Sequence, residues 1–169
     1  MYKQKKVRLH NLALVTLNFA KSNAMQISSR FTIALHILTA LETFKGRFRL
    51  TSEFLAGSVQ VNPVIIRNIL LQLKAAEMVQ IPRGRGSIVL LKNPSDINLF
   101  DVYKAIEPLE NEKLFNFHKN PNPNCPVGKN IHNILDGRLY EVQQVMENKL
   151  KEMKLSDVLE DLQKFIKTE

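Results

Sequence analysis

The chain is poor in cysteine, in long apolar runs and in the marks of an enzyme. Its 169 residues include a single cysteine, Cys125, so no disulfide can form within one chain. No apolar run reaches the roughly 20 residues that cross a bilayer, and we expect a protein without a membrane span in a reducing, cytoplasmic setting. The sequence holds no nucleophile with a local base motif, no phosphate-binding loop and no carboxylate pair at a recognisable spacing, which predicts that it is not an enzyme.

Acidic residues are scarce in the first two thirds of the chain. The net charge is +8, and residues 1–24 carry five basic side chains and no acidic one. Residues 25–106 hold ten Lys or Arg against five Asp or Glu, whereas residues 107–169 hold nine against eleven. This surplus of positive charge before residue 107 indicates a polyanion as the partner of that part.

Residues 1–24 are treated as an N-terminal extension. Four basic residues lead into the mildly apolar LALVTLNFA and then SNA, which imitates a signal peptide. Thr16 and Asn18 interrupt the apolar part, so it is too short for that role. SNA directly before Met25 is typical of the remnant of an expression tag, in which case we expect the natural protein to begin at Met25. The alternative is that translation starts upstream, at Met1.

Three helices are predicted after the extension. Apolar residues recur at helical spacing from Ser28 to about Gly46, and SEFLAGSV forms a short second helix capped by Thr51 or Ser52. Asn62 as cap and a proline at the first helical position then predict a third helix along PVIIRNILLQLKAAEM. Two helices joined by so short a turn are typical of a helix-turn-helix.

The stretch IPRGRGSIVL follows this motif directly. Apolar residues on both sides and Gly84 and Gly86 at the bend predict a β-hairpin with Arg83 and Arg85 at its tip. A charged tip is also an ordinary way to end a solvated hairpin. Its position after the helix-turn-helix indicates a wing, whose cations meet DNA phosphates while the preceding helix enters the major groove.

Base recognition is assigned to the start of the third helix, where arginine pairs with guanine, asparagine with adenine and valine contacts the thymine methyl. Phosphate contacts are expected from the starts of the first two helices. Asn62 as a simple cap and Arg30 as ordinary surface charge remain alternatives. The predicted DNA-binding residues are Ser28, Arg30, Thr51, Ser52, Gln60, Asn62, Val64, Arg67, Asn68, Arg83 and Arg85.

The last third of the chain contains a linker and two more helices. Ser95 is predicted to cap a helix that ends near Ile106, and HKNPNPNCPVGKN contains too many prolines and asparagines for regular structure. A long helix opens at about Ile131 with apolar residues at coiled-coil-like spacing, which favours a second copy as its partner over packing on its own domain. Ser156 and Asp157 are predicted to cap a last helix that closes over the dimer. The predicted dimerisation residues are Ile131, Leu135, Leu139, Val142, Met146 and Leu150.

The predicted fold is mainly α with a small β wing, a winged helix-turn-helix domain followed by a long C-terminal dimerisation helix. The expected limits are an extension over 1–24, the DNA-binding domain over 25–106, a linker with Cys125 over 107–128 and dimerisation helices over 129–169.

Cys125 is the candidate sensing residue. Pro126 suits the first position of the long helix, so Cys125 would be its N-cap, where the helix dipole and free amides favour a thiolate. A reactive thiol and a quiet, half-buried one are both compatible with the sequence. His118 and His132 lie seven residues either side, but two histidines and one cysteine at this spacing match no strong zinc pattern. We therefore predict no metal site and no cofactor.

With these elements in order, the chain from Met25 to about Phe165 resembles the Rrf2 family of bacterial transcription regulators, which includes IscR, NsrR and CymR. The resemblance is carried by MQISSRFTIALHILTAL, LTSEFLAGSVQVNPVIIRNILLQLKAAEMV, PRGRGSIVLLKNPSDINLFDVYKAIE and CPVGKNIHNIL, and NPNPNCPVGK is similar to the YwnA branch. It implies a homodimer that binds a palindromic operator in double-stranded DNA through two winged helix-turn-helices, usually as a repressor. We expect this regulator to respond to a redox or small-molecule signal.

Three departures from the family pattern bear on function. Cluster-binding members have three cysteines in the loop before the long helix, whereas this chain has one, so an iron–sulfur cluster is not expected. Glu77 replaces the family's usual glycine near the end of the recognition helix, and Gly86-Ser87-Ile88 replaces its common Gly-Gly-Tyr in the wing.

The alternative hypothesis is a metal-binding or redox module based on Cys125 without DNA specificity. A gel shift would distinguish the two functions.

Overall fold

A computed structural model of the chain describes residues 28–107, 114–115 and 118–167. The extension over 1–24 lies outside these residues. Within them the fold is mainly helical with one small β-hairpin, as predicted. The elements in chain order are α1 (Ser29–Thr43), α2 (Ser52–Val59), α3 (Pro63–Ala75), β1 (Val79–Gln80), β2 (Val89–Leu90), a 3-10 turn (Pro94–Asp96), α4 (Leu99–Ile106), α5 (Pro126–Glu152) and α6 (Leu155–Ile166).

Side-chain caps begin the first three helices at the positions that the sequence predicts. Ser28, Thr51 and Asn62 each accept a hydrogen bond from a backbone amide two or three residues further on. Such caps satisfy amides that the first turn of a helix leaves unbonded. Pro63 occupies the first turn of α3, where its missing N–H has no consequence.

The core lies where α1, α3 and α4 meet beneath the hairpin. Burying each large aliphatic side chain contributes about 1.5–3 kcal/mol, so this cluster holds α3 firmly by one face. The β-strands pair antiparallel, Val79 with Leu90 and Gln80 with Val89, and close the domain. The side chains of the cluster that are almost completely buried include Ile37, Leu38, Leu41, Ile66, Ile69, Leu73, Val102 and Ile106.

The C-terminal helices are joined to this domain by a short backbone bridge. The amide of Leu99 donates to the carbonyl of Met153 at 3.0 Å, and the amide of Leu155 donates to the carbonyl of Ile97 at 2.9 Å. Leu155 and Ile97 are buried, and Lys151 of α5 lies 4.6 Å above the ring of Phe100 in α4. These contacts set the direction in which α5 approaches α4 and in which α6 leaves it.

Three predicted helix starts in the C-terminal part differ from the structure. Ser95 lies in the 3-10 turn, and Asn98 caps α4 because its side chain reaches the amide of Asp101 at 2.8 Å. The long helix begins at Pro126, which agrees with the predicted cap at Cys125 and not with the opening predicted near Ile131, since proline can take the first helical position.

The last helix begins at Leu155, ahead of the predicted cap at Ser156 and Asp157. Asp157 instead accepts a hydrogen bond from the amide of Lys154, at 2.8 Å. Within the chain, Leu155, Val158 and Leu159 of α6 pack on the core, whereas Phe165 and Ile166 near its end are exposed. The closing of this helix over a dimer stays a prediction.

No single helix of the described residues is long and apolar enough to cross a membrane. By length and composition alone α2 and α3 would pass as a pair, but the chain bends by 113° between them.

The end of α3 adopts a left-handed cap at Glu77. The amide of Met78 donates to the carbonyl of Leu73, and that of Glu77 to Lys74, both at 3.0 Å, which is the Schellman pattern of bonds. Glu77 has φ +55°, a conformation that favours glycine, and it stands where the family pattern has glycine. The backbone at this position is therefore strained by its side chain.

Replacing Glu77 with glycine should stabilise the protein by about 1 kcal/mol, because glycine adopts positive φ without the steric cost. We expect the midpoint of thermal unfolding to rise by about 2–4 °C, measured by circular dichroism. Glu77→Ala is the matched control, since alanine removes the charge at the helix C-terminus but keeps the unfavourable φ. An equal gain in both variants would attribute the effect to the helix dipole and would disprove backbone strain.

Candidate nucleic-acid interface

One face of α3 is turned away from the core. Ile66, Ile69 and Leu73 are buried on one face of the helix. On the opposite face, side chains that follow one another at about one turn are exposed. Positions three or four apart share one face of a helix, so the exposed residues form a continuous stripe. This stripe consists of Val64, Arg67, Asn68 and Leu71, of which Leu71 was not predicted from the sequence.

The turn before α3 has its polar side chains already engaged. Gln60 is in the left-handed conformation, φ +61°, and its side-chain nitrogen Nε2 donates to the carbonyl of Gly57 at 2.7 Å. The side-chain oxygen of Asn62 accepts from the amide of Val64 at 2.9 Å. The capping role that the sequence favoured for Asn62 is therefore the one that the structure has, and base contact by either residue stays a prediction.

Arg67 is paired with a carboxylate on the neighbouring helix. Its Nη2 donates to Oε1 of Glu53 at 2.7 Å, and its Nε lies 3.4 Å from Oγ of Ser52. The hydrogen bond from Arg67, together with backbone and Ser52 donors in the first turn of α2, lowers the pKa of Glu53 to about 2. The carboxylate is therefore ionised at any physiological pH, and the pair is lost only as the pH falls towards 2.

Ser28 and Arg30 serve as links inside the domain. The hydroxyl and amide of Ser28 both donate to Oε1 of Glu107, beyond the end of α4. Arg30 Nη2 donates to the side-chain oxygen of Gln72, on α3, at 2.6 Å. These bonds tie α1 to α3 and α4, so the structure engages both residues in fixing the helices, and their predicted phosphate contacts are untested.

Thr51 and Ser52 lie at the N-terminus of α2, where the sequence places them. Thr51 caps the helix through its hydroxyl, and Ser52 Oγ lies between Glu53 and Arg67. Free amides in the first turn of a helix are donors for an anion such as phosphate.

The wing presents its cations at the surface. Arg83 and Arg85 are exposed on either side of Gly84, which has φ +79° and therefore suits the tip. Gly86 has a different role, because a Cβ there would lie 2.5 Å from Cβ of Pro82. The strands are short, two residues each, and leave an eight-residue connection over 81–88.

Three further cations lie beside the wing that the sequence did not single out. Lys45, Arg47 and Arg49 are exposed in the connection between α1 and α2. Arg49 Nη2 lies 3.5 Å from the carbonyl of Gly84, so this connection reaches the wing tip. The basic pattern FKGRFR was the available signal, but no helix or strand was predicted there that would have placed it near the wing.

Cys125 is the N-cap of α5, as predicted, and is partly exposed. The proximity of the backbone amides of Gly128 and then Val127 lowers the pKa of the thiol, although the sulfur accepts no capping hydrogen bond. His118 and His132 lie with ring centroids 5.5 Å apart, and His132 Nδ1 is 3.2 Å from Asp136. Within the described residues, no three His, Cys, Asp or Glu side chains are grouped so that they could hold a metal ion.

The predicted dimerisation residues divide between two faces of α5. Met146 and Leu150 pack against the core of their own chain, and Leu139 is half-buried. Leu135 and Val142 are exposed. A stripe on the exposed side, which the sequence located only in part, comprises Val127, Ile131, Ile134, Leu135, Val142 and Val145.

Comparison with known proteins gives consistent matches over most of the chain. The model of the Rrf2 family, described as an iron-dependent transcriptional regulator, matches residues 27–161. YwnA of Bacillus subtilis, named as a candidate HTH-type transcriptional regulator, is 41% identical over 136 residues, which cover 80% of this chain and 98% of YwnA.

Two solved structures extend this likeness to the fold. One is the crystal structure of a candidate DNA-binding protein, 37% identical with a TM-score of 0.63, and the match covers 78% of this chain and 99% of that one. The other is T. potens IscR, 19% identical with a TM-score of 0.60 over 81% of this chain and 88% of its own. At that identity the second likeness concerns the fold alone.

Proposed function

Because the chain belongs to the Rrf2 family of transcriptional regulators, we propose that it is a homodimeric repressor that binds a palindromic operator in cytoplasmic DNA and releases it in response to a signal. Its relatives are regulators, and an enzymatic role has no support among them. The observation that carries the proposal is the exposed stripe of α3, whose opposite face is buried in the core.

The stripe supplies the chemistry that reads base edges. Asn68 pairs with adenine through its amide, Val64 contacts the thymine methyl, and Arg67 donates two parallel bonds to guanine. Arg67 reaches guanine by leaving Glu53, so the exchange of one acceptor for another is part of recognition. Thr51, Ser52 and the wing arginines position the protein on phosphates, which carry no sequence information.

The exposed stripe of α5 supports the dimer. Val142 and Val145 are 55% and 70% exposed, and Ile134, about two turns before Val142, is 53% exposed. Exposed apolar side chains grouped on one face of a helix support an interface, and in a two-fold dimer the same stripe of a second copy covers them. Two recognition helices related by a two-fold axis match a palindromic operator.

The residues of this chain do not fit an iron–sulfur cluster. An iron–sulfur cluster is held mainly by cysteine thiolates, and the whole sequence contains one cysteine. The described residues offer no alternative group of three ligands around it. The family description therefore extends to this chain as a regulator, and the proposed signal acts without an iron–sulfur cluster.

We propose Cys125 as the point at which a redox signal acts. Its lowered pKa raises the fraction of thiolate, which is the reactive form. The thiolate attacks one oxygen of hydrogen peroxide, forms an S–O bond and releases hydroxide, which leaves a sulfenic acid. An adduct at the first turn of α5 changes how the two copies of the helix meet, and with it the spacing of the recognition helices.

The wing arginines should contribute affinity rather than sequence choice, because the glycine tip aims their side chains poorly. Arg83→Ala and Arg85→Ala should each weaken binding to a selected operator and to random duplex DNA alike. The slope of log K against log salt should fall by about 0.9 for each phosphate that the variant no longer neutralises. Fluorescence anisotropy with both duplexes measures this. An unchanged slope with weaker discrimination at one base pair would show that the wing reads bases.

Charges placed on the exposed stripe of α5 should separate the dimer. The double variant Leu135→Glu/Val142→Glu should sediment as a monomer and lose operator binding in a gel shift, because an apolar interface cannot bury unpaired carboxylates. Tyr140→Glu is the control, since Tyr140 is exposed on the opposite side of the same helix and should leave the dimer intact. A dimer that persists in the double variant would exclude this stripe as the interface.

Oxidation should release the operator only when the thiol is present. We expect hydrogen peroxide to weaken operator binding by wild type, and Cys125→Ser to keep its affinity under the same titration. A dimedone adduct detected by mass spectrometry identifies the sulfenic acid. Equal release by both proteins, or release by neither, would show that Cys125 is structural and that the signal is sensed elsewhere.

A further inference from the structure

The connection between α1 and α2, residues 44–51, is a compact cluster of positive charge that we call the basic loop. Lys45, Arg47 and Arg49 alternate with Gly46 and Phe48, and the loop contains no acidic residue. All three cations are exposed. Only Lys45 has a carboxylate partner, Glu42, at 3.4 Å, whereas Arg47 and Arg49 form no ion pair within the part of the chain that the structure describes.

The basic loop is bonded to the wing along its second half. The amide of Leu50 donates to Oγ of Ser87 at 2.8 Å, and the amide of Ile88 donates to the carbonyl of Leu50 at 2.9 Å. Arg49 then reaches the carbonyl of Gly84 at 3.5 Å. These bonds hold Arg49 next to the wing tip.

The basic loop also leads directly into α2. Thr51, its last residue, is the N-cap, and the free amides of the first turn follow at once. Arg49 is two residues before this cap. It therefore lies between the wing tip and the α2 N-terminus, the two elements to which phosphate contacts have been assigned.

Aromatic packing makes the basic loop rigid. Phe48 stacks on Phe54 with centroids 5.5 Å apart, and Phe44 meets both rings edge-on at 5.6–5.8 Å. The amides of Arg47 and Phe48 both donate to the carbonyl of Phe44. A loop fixed in this way loses little conformational freedom when it binds, so its cations are preorganised for a partner.

We propose that the basic loop is a third DNA-backbone-binding element, in which Arg47 and Arg49 contact phosphates next to those held by the wing. The proposal rests on the proposed function, since it names a part of the DNA surface that the helix-turn-helix and the wing do not include. Phosphates are the class of ligand that fits, because the cations are exposed and held together on one edge of the domain. The contacts are independent of sequence and enlarge the footprint beside each half-site.

The test measures binding to a selected operator and to a random duplex of equal length between about 50 and about 200 mM salt, the range over which phosphate contacts dominate the change in affinity. Arg47→Ala/Arg49→Ala should weaken binding to both duplexes by the same factor and lower the salt slope by about 0.9 for each phosphate left without its arginine. Arg49→Lys should keep the slope, because lysine preserves the charge.

Two comparisons make the result decisive. Lys164→Ala removes a positive charge from α6, which is not among the proposed DNA-binding elements, and should leave the slope unchanged. Thermal unfolding of each variant confirms the fold. If wild type binds neither duplex, the proposed function fails. If wild type binds and the double arginine variant keeps the wild-type slope, the basic loop does not contact phosphate. If the double variant binds the operator more weakly, but binds the random duplex as wild type does and keeps the salt slope, the arginines read bases and the proposal is wrong.

Discussion

Two backbone hydrogen bonds, from Leu99 to Met153 and from Leu155 to Ile97, fix where the C-terminal helices join the winged-helix domain. They form where two connections cross, the one after the wing and the one between α5 and α6. Because Ile97 and Leu155 are buried at this crossing, water cannot replace the bonds cheaply, and the junction behaves as part of the core. The helix that carries the proposed dimer interface is thereby attached to the same domain as α3, the helix proposed to contact DNA.

Local chemistry predicted the helix-turn-helix well, because its signals are short-range. Asn62 followed by proline and Thr51 before an apolar run each define a cap from a few neighbouring residues. The same reasoning failed at Ser95, where Asn93, Ser95 and Asn98 can all cap a helix and only the chain's path to Met153 selects Asn98. A two-residue backbone bridge has no sequence pattern, so the junction itself was not foreseen.

The apolar seam of the long helix illustrates a different limit. Leu135 and Val142 belong to one face, while Met146 and Leu150 belong to a face roughly 60° away, since each residue advances the helix by about 100°. Apolar residues three or four apart fit both faces, so the spacing alone cannot distinguish them. The face that packs on the core is determined by where α4 lies in the folded chain. Likewise, the cations of the candidate interface could be read from the sequence, but the pairing of Arg67 with Glu53 and the approach of Arg49 to the wing depend on tertiary contacts.

The attachment of α5 at one end has a mechanical consequence. Its core contacts, Met146 and Leu150, lie in the last quarter of the helix, and Pro126 is 20 residues before Met146. At 1.5 Å per residue this segment is about 30 Å long, so a rotation of about 5° about Met146 moves its N-terminal end by roughly 2.6 Å. The helix thus has the geometry of a lever, and a given force produces the largest torque about Met146 when it is applied at the Cys125 end. A displacement at Cys125 would therefore reach Met146, beside the winged-helix domain, along the helix itself and without passing through the core.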